Sequence, residues 1–281
     1  MSALMHGKRG LIMGVANDHS IAWGIAKALA DQNATLAFTY QGEALGKRVK
    51  PLAAALGSTM MLPCDVEDVG SVDAVFAEIG ERWGSLDFLV HAIAFSDKNE
   101  LKGRYADTTR ENFVRTMLIS CFSFTEVAKR AATLMPGAGS MITLTFGGSE
   151  RVMPNYNVMG VAKAALEASV RYLAVDFGPR GIRVNAISAG PMRTLAGAGI
   201  TDARLMFNFQ KRHAPLRRSV TLEEVGGAAL YLLSDLSTAV TGEVHYVDSG
   251  YNIVSMPHPE ALKTVDEAET AAEERASDAA Q

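Results

Sequence analysis

The chain is poor in the features that mark membrane, metal or secreted proteins. No apolar run approaches ~18 residues, so no segment reads as a membrane span. There are only two cysteines, Cys64 and Cys121, far apart and outside any metal or redox spacing. They favour a reducing compartment and read as small core residues. The six histidines are scattered without His-x-His or HExxH spacing, so no metal site is expected. G-x-S-x-G is absent, which argues against an α/β-hydrolase. No secretory signal is visible at the start, and a soluble, cytoplasmic protein is expected. The G-x-G-x-x-G dinucleotide fingerprint is missing too.

What is present suits a globular core: 281 residues, 48% hydrophobic and 21% charged. The net charge of −4 is unevenly spread. Residues 257–281 carry seven acidic and two basic side chains, leaving the remainder near +1. That balance and the lack of a binding motif speak against nucleic acid. The tail, 258–281, is rich in Ala and Glu and is expected to be disordered or a loose surface helix.

Short apolar, β-branched runs alternate with helical patterns. Strands are expected at 10–15, 34–40, 59–63, 86–94, 141–145, 182–187 and 243–247. Helices are expected at 21–32, 42–56, 69–83, 109–134 and from Pro154 onward. Thr108 with Glu111 and Thr221 with Glu224 have capping-box spacing. The rhythm predicts an α/β fold, a single-domain doubly wound parallel sheet (Rossmann-type) with helices on both faces, spanning residues 1–257.

Ligands in such sheets sit beyond the carboxyl ends of the strands. The first strand runs into Gly14, suited to a tight turn, and then Ser20, whose hydroxyl can cap the next helix and touch a phosphate. The second strand ends at the neutral Gln41, which can bond adenosine hydroxyls. Lys47 and Arg48 lie nearby but read better as the exposed face of a helix. Asp65 and Val66 end the third strand, where a carboxylate and an amide can read an adenine edge.

Tyr156 and Lys163 are seven residues apart. With Pro154 opening a helix, Tyr156 falls in its first turn. Seven residues drift only about 20° around a helix and rise about 10 Å, so a phenol and an ammonium share one stripe with room for a sugar between them. Gly160 at the fourth position excludes a Tyr-x-x-x-Lys pair.

The segments Gly14-x5-Ser20-Ile21-Ala22-x-Gly24, Tyr156-x6-Lys163 and Ser188-Ala189-Gly190-Pro191-Met192-Arg193-Thr194-Leu195-Ala196 occur in order at matching separations. Together they resemble the bacterial NADH-dependent enoyl-acyl-carrier-protein reductases, divergent members of the short-chain dehydrogenase/reductase superfamily, over roughly residues 5–257. The resemblance implies hydride transfer from NADH to the β-carbon of a trans-2-enoyl thioester, in fatty-acid elongation. It implies that Tyr156 is the donor to the developing enolate oxygen and that Lys163 bonds the nicotinamide ribose. It implies cofactor contacts from Gly14, Ser20, Ile21, Gln41, Asp65, Val66, Ile93, Met192, Arg193, Thr194, Leu195 and Ala196. Ser96 and Phe146 fall at substrate positions. Many relatives have tyrosine where this chain has Phe146, so a mechanism needing two phenols is in doubt.

The family also implies a substrate lid at about 195–210, acyl carrier protein as the substrate's bearer, and a homotetramer. Lys211, Arg212, His213, Arg217 and Arg218 form a basic cluster that can attract an acidic carrier or serve only as a solvated patch. The rival readings are a carbonyl reductase on the same scaffold and a non-catalytic dinucleotide sensor.

Overall fold

The structure, a computed structural model, describes residues 3–194 and 203–256. Seven strands form one sheet: β1 (Arg9–Met13), β2 (Thr35–Tyr40), β3 (Met60–Pro63), β4 (Phe88–His91), β5 (Gly139–Thr145), β6 (Ile182–Ala189) and β7 (Val244–Val247). All pairings are parallel, in the order β3-β2-β1-β4-β5-β6-β7. The chain winds outward from β1 to β3, then crosses back to β4. The carboxyl ends of β1 and β4 therefore flank the switch point where such sheets receive ligands.

The central strands β1 and β4 are largely apolar on both faces because both are covered. Leu11, Met13 and Leu89 point into a core built with α3 (Val69–Trp83), α5 (Ser123–Thr133) and α6 (Asn157–Phe177). Ile12, Phe88 and Val90 point into the opposite core, with α1 (Ile21–Ala30), α2 (Gly42–Ala55) and α8 (Leu222–Leu233). This is the doubly wound α/β architecture expected from the alternating pattern. Both cysteines are buried and unpaired. Among the described residues no helix is long and apolar enough to cross a membrane.

Three local expectations are corrected. The long helix at 109–134 is two helices, α4 (Arg110–Met117) and α5, joined by a π-helical turn at Leu118–Phe122. Serines drive the break. Ser123 Oγ donates to the Ile119 carbonyl, while Ser120 Oγ accepts from the Phe95 amide. The α4 cap is Thr109, not Thr108, and accepts from the Asn112 amide. Thr108 instead closes the preceding 3-10 turn by donating to the Tyr105 carbonyl. The Thr221–Glu224 capping box forms as expected.

The third correction concerns α6, which starts at Asn157 with Tyr156 as its N-cap; Pro154 lies in the turn before. Asn155 (φ 59°) and Asn157 (φ 38°) both take left-handed backbone around Tyr156. Asparagine tolerates that region better than most side chains. Asn157 Nδ2 then donates to the carbonyls of Leu101 and Gly103, each at 3.2 Å, which fixes the turn.

Candidate active site

The end of β1 explains the first glycine. Gly14 has φ 105°, and a Cβ there would lie 2.1 Å from the Ala92 carbonyl oxygen. Only glycine lets the turn press against the end of β4. Gly24 lets α1 pack on α8, since its Cβ would meet Leu222 at 2.8 Å.

Ser20 sits at the N-cap of α1, but its hydroxyl does not cap the helix. Ser20 Oγ accepts from the amides of Ala16 and Asn17, at 3.0 and 3.1 Å, and so ties the Gly14–Ser20 loop into a ring. The first amides of α1 are left without a side-chain cap, which is the arrangement that receives a phosphate.

Gln41 and Asp65, predicted separately, come together: Gln41 Nε2 donates to Asp65 Oδ2 at 3.0 Å. Val66 is buried beside them, and Ile21 and Ile93 are partly buried in the two cores. Lys47 pairs with Glu43 on the exposed face of α2. Met192 and Thr194 are half-buried and Arg193 is exposed, just beyond β6. Leu195 and Ala196 lie outside the described residues, as do 197–202 of the expected lid and the tail.

Lys163 is buried, and its ammonium donates to the Leu144 carbonyl near the end of β5 at 2.7 Å. Burial holds it well below the usual lysine range, at about 8, with Cys121 and Glu167 opposing that fall. Tyr156 is buried too, and its ring meets Phe146 edge-on at 5.2 Å. Burial, with Glu167 adding, raises its pKa, so the phenol stays protonated. Both groups thus feel one carboxylate, and both rest near the carboxyl end of β5. Gly148 makes space for the phenol, since its Cβ would strike the Tyr156 ring at 2.5 Å. Gly160 has the same logic: a Cβ there would lie 2.6 Å from the Gly148 carbonyl oxygen.

Phe146 and Pro191 line a cavity of about 1020 Å³, together with Met206 and Phe209 of α7 (Ala203–His213) and Tyr246 of β7. The described part of the expected lid is therefore a helix that walls this cavity. Ser96, after β4, is bonded to its neighbours: Thr116 Oγ1 donates to Ser96 Oγ at 2.9 Å, and Asn112 Nδ2 lies 3.3 Å away. Of the basic cluster, Arg218 is committed to Glu224 and His213 is buried, leaving Lys211, Arg212 and Arg217 exposed.

Sequence reasoning missed Glu167, Thr145 and the asparagines flanking Tyr156. A Lys-x-x-x-Glu spacing on a buried helix face is a signal for the first. It missed His91 as well, which is fully buried in β4. Since Ser123 Oγ already donates to Ile119, His91 Nε2 must donate to Ser123 Oγ, at 3.0 Å. Burial, with Lys163 adding, pushes its pKa down to about 3. The folded value lies below the ordinary one of 6.5, so the unfolded chain takes up this proton first as pH falls. Stability is therefore lost between about pH 6.5 and about 3, with a slope from this group of at most about 1.4 kcal/mol per pH unit. Urea midpoints measured against pH should fall less steeply over that window in His91→Gln than in the parent chain; equal slopes would contradict this.

Fold and site together define a dinucleotide-dependent oxidoreductase of the short-chain dehydrogenase/reductase type. A family profile described as "Enoyl-(Acyl carrier protein) reductase" matches residues 14–252, and the chain belongs to that family. It is 77% identical over 266 residues to "Enoyl-[acyl-carrier-protein] reductase [NADH] 2" of Rhizobium meliloti, covering 95% of this chain and 99% of that one. The crystal structure of FabI from Candidatus Liberibacter asiaticus superposes with a TM-score of 0.90 at 63% identity, covering 92% of this chain and all of the other. The enoyl-acyl-carrier-protein reductase of Anaplasma phagocytophilum, solved in complex with NAD, gives 0.89 at 59% identity, covering 92% of this chain and 98% of that one.

Proposed function

We propose that this chain reduces the trans-2 double bond of enoyl thioesters in fatty-acid elongation, using NADH. The observation that carries the reading is the buried Tyr156–Lys163 pair at the end of β5, in a chain of this family. The residues present fit the cofactor: a cradle at Gly14 that a Cβ would fill, uncapped amides opening α1, and the joined Gln41–Asp65 pair. Bound there, NADH supplies a hydride to the β-carbon of the substrate.

The protein's part is binding and electrostatics. Uncapped α1 amides and the Ser20-tied loop would hold the pyrophosphate, with Ile21 and Thr194 as proposed neighbours. Gln41, Asp65 and Val66 would take the adenosine end and Met192 would lie beside the nicotinamide, with Ile93, Arg193, Leu195 and Ala196 as further proposed cofactor contacts. Lys163 bonds the nicotinamide ribose and offers a positive charge. The Tyr156 phenol donates to the thioester oxygen as negative charge develops there, which favours the transition state over the ground state. Phe146 is an apolar wall for the acyl group, and Ser96 contacts substrate at the end of β4.

In this reading residues 1–257 are one domain with a lid at about 195–210 and an acidic tail at 258–281. Acyl carrier protein bears the substrate, attracted by Lys211, Arg212 and Arg217; the enzyme is a cytoplasmic homotetramer. A carbonyl reductase would want a lysine at Gly160, where the Gly148 carbonyl leaves no room for a side chain. The test follows NADH absorbance with an enoyl thioester and then with a β-ketoacyl thioester. Oxidation of NADH by the enoyl substrate alone is expected. Oxidation by the ketone alone, or by neither, would overturn the reading.

A further inference from the structure

Four residues after Lys163, on the same face of α6, Glu167 is nine-tenths buried. A carboxylate so placed is costly unless it is bonded and faces an opposite charge. Its bond comes from β5: Thr145 Oγ1, itself buried, donates to Glu167 Oε1. The residue before it in the strand, Leu144, supplies the carbonyl that receives the Lys163 ammonium. Consecutive residues of β5 therefore hold an acid and a base of α6, one through a hydroxyl and one through a carbonyl. Among the described residues Lys163 makes no ion pair within 4.0 Å, so the two charges sit in one buried region without closing on each other.

We propose that Glu167 is a positioning residue for the reduction: held by Thr145, its carboxylate is the counter-charge that keeps Lys163 cationic and free to turn toward the nicotinamide ribose. A direct Lys163–Glu167 salt bridge would tie the ammonium down; a carbonyl contact is exchanged for ribose hydroxyls at little cost. This rests on the role given to Lys163 above.

Other groups around this pair cannot take the part. His91 of β4 is buried and neutral; Cys121 of the π-turn also opposes the fall in Lys163, but burial raises its own pKa, so it is an uncharged thiol through neutral pH. Tyr156 and Tyr246 are phenols with raised pKa values. Glu150 and Asp248 act on Tyr246, whereas the acid acting on both Lys163 and Tyr156 is Glu167.

The test is NADH affinity of the full chain from pH 6 to 10, measured for the parent, Glu167→Gln, Thr145→Val, Thr145→Ser and Lys163→Met, with melting temperatures alongside. In the parent, affinity declines as Lys163 loses its proton, near pH 8. In Glu167→Gln the midpoint moves down by about one pH unit, a tenfold change in the protonation equilibrium. Thr145→Val shifts it the same way by less, and Thr145→Ser keeps more of the parent profile. Should Glu167→Gln not fold, the serine–valine contrast at 145 carries the test. Variants that melt lower but keep the parent midpoint overturn the proposal, because a purely structural acid behaves so. An alkaline decline that persists in Lys163→Met instead overturns the assignment of Lys163, which the midpoint shift alone cannot do.

Discussion

Tyr156→Phe should lower kcat for enoyl thioester reduction by about 10- to 1,000-fold, the range typical of losing one donor to a developing oxyanion. NADH affinity should change by no more than about twofold, since a phenol bonded to the thioester oxygen contributes little to cofactor binding. The variant should fold, because the ring and its edge-on contact with Phe146 are kept. Among the described residues no hydrogen bond of the Tyr156 hydroxyl is present, so the change orphans no partner there. Stopped-flow reduction at saturating substrate separates kcat from KM. Full retained turnover would remove Tyr156 from the chemistry. The phenol's raised pKa gives a companion expectation: through neutral pH the group stays a donor, so the kcat profile shows no ionisation of Tyr156.

Lys163→Met should weaken NADH binding by about 10- to 100-fold, the equivalent of one charge-assisted hydrogen bond of ~1.5–3 kcal/mol. Methionine keeps much of the buried stem while removing the charge and its bond to Leu144. In the parent, the held value of about 8 leaves the ammonium charged through neutral pH and neutral above it. Affinity should therefore be flat below about pH 8 and decline beyond, and the variant should be weak and flat throughout. Calorimetric titration gives both results. Parent-like affinity in Lys163→Met would contradict the ribose role.

The central strands were legible because β1 and β4 bury both faces and so read as short, mostly apolar runs. β3 (Met60–Pro63) and α3 (Val69–Trp83) fall within a residue of expectation because Asp68 and Gly84 mark where α3 begins and ends. The Tyr156–Lys163 spacing was legible too, and the structure buries both side chains, with Tyr156 capping α6 and Lys163 inside it. Less visible was everything set by tertiary bonds. The π-turn at Leu118–Phe122 depends on Ser120 finding the Phe95 backbone, 25 residues away. Pro154 looked like a helix opener, but left-handed Asn155 and Asn157 move the start to Asn157 and leave Tyr156 at the cap. Ser20 looked like a cap but serves its own loop. Glu167 escaped notice because a glutamate on a helix reads as surface, and only Thr145 on a distant strand makes it a buried one.

The glycines carry the same lesson about function. Gly14, Gly148 and Gly160 each mark a place where backbone or ring presses close. Gly160 in particular leaves no room for a lysine four residues after Tyr156, because a Cβ there would press on the Gly148 carbonyl in the Gly147–Ser149 turn.

The most direct test is a crystal structure with NAD+ bound. The nicotinamide ribose should lie within hydrogen-bond reach of the Lys163 ammonium, with the Tyr156 hydroxyl facing the space beside the nicotinamide ring. A ribose held elsewhere, with Lys163 still on the Leu144 carbonyl, would contradict the account.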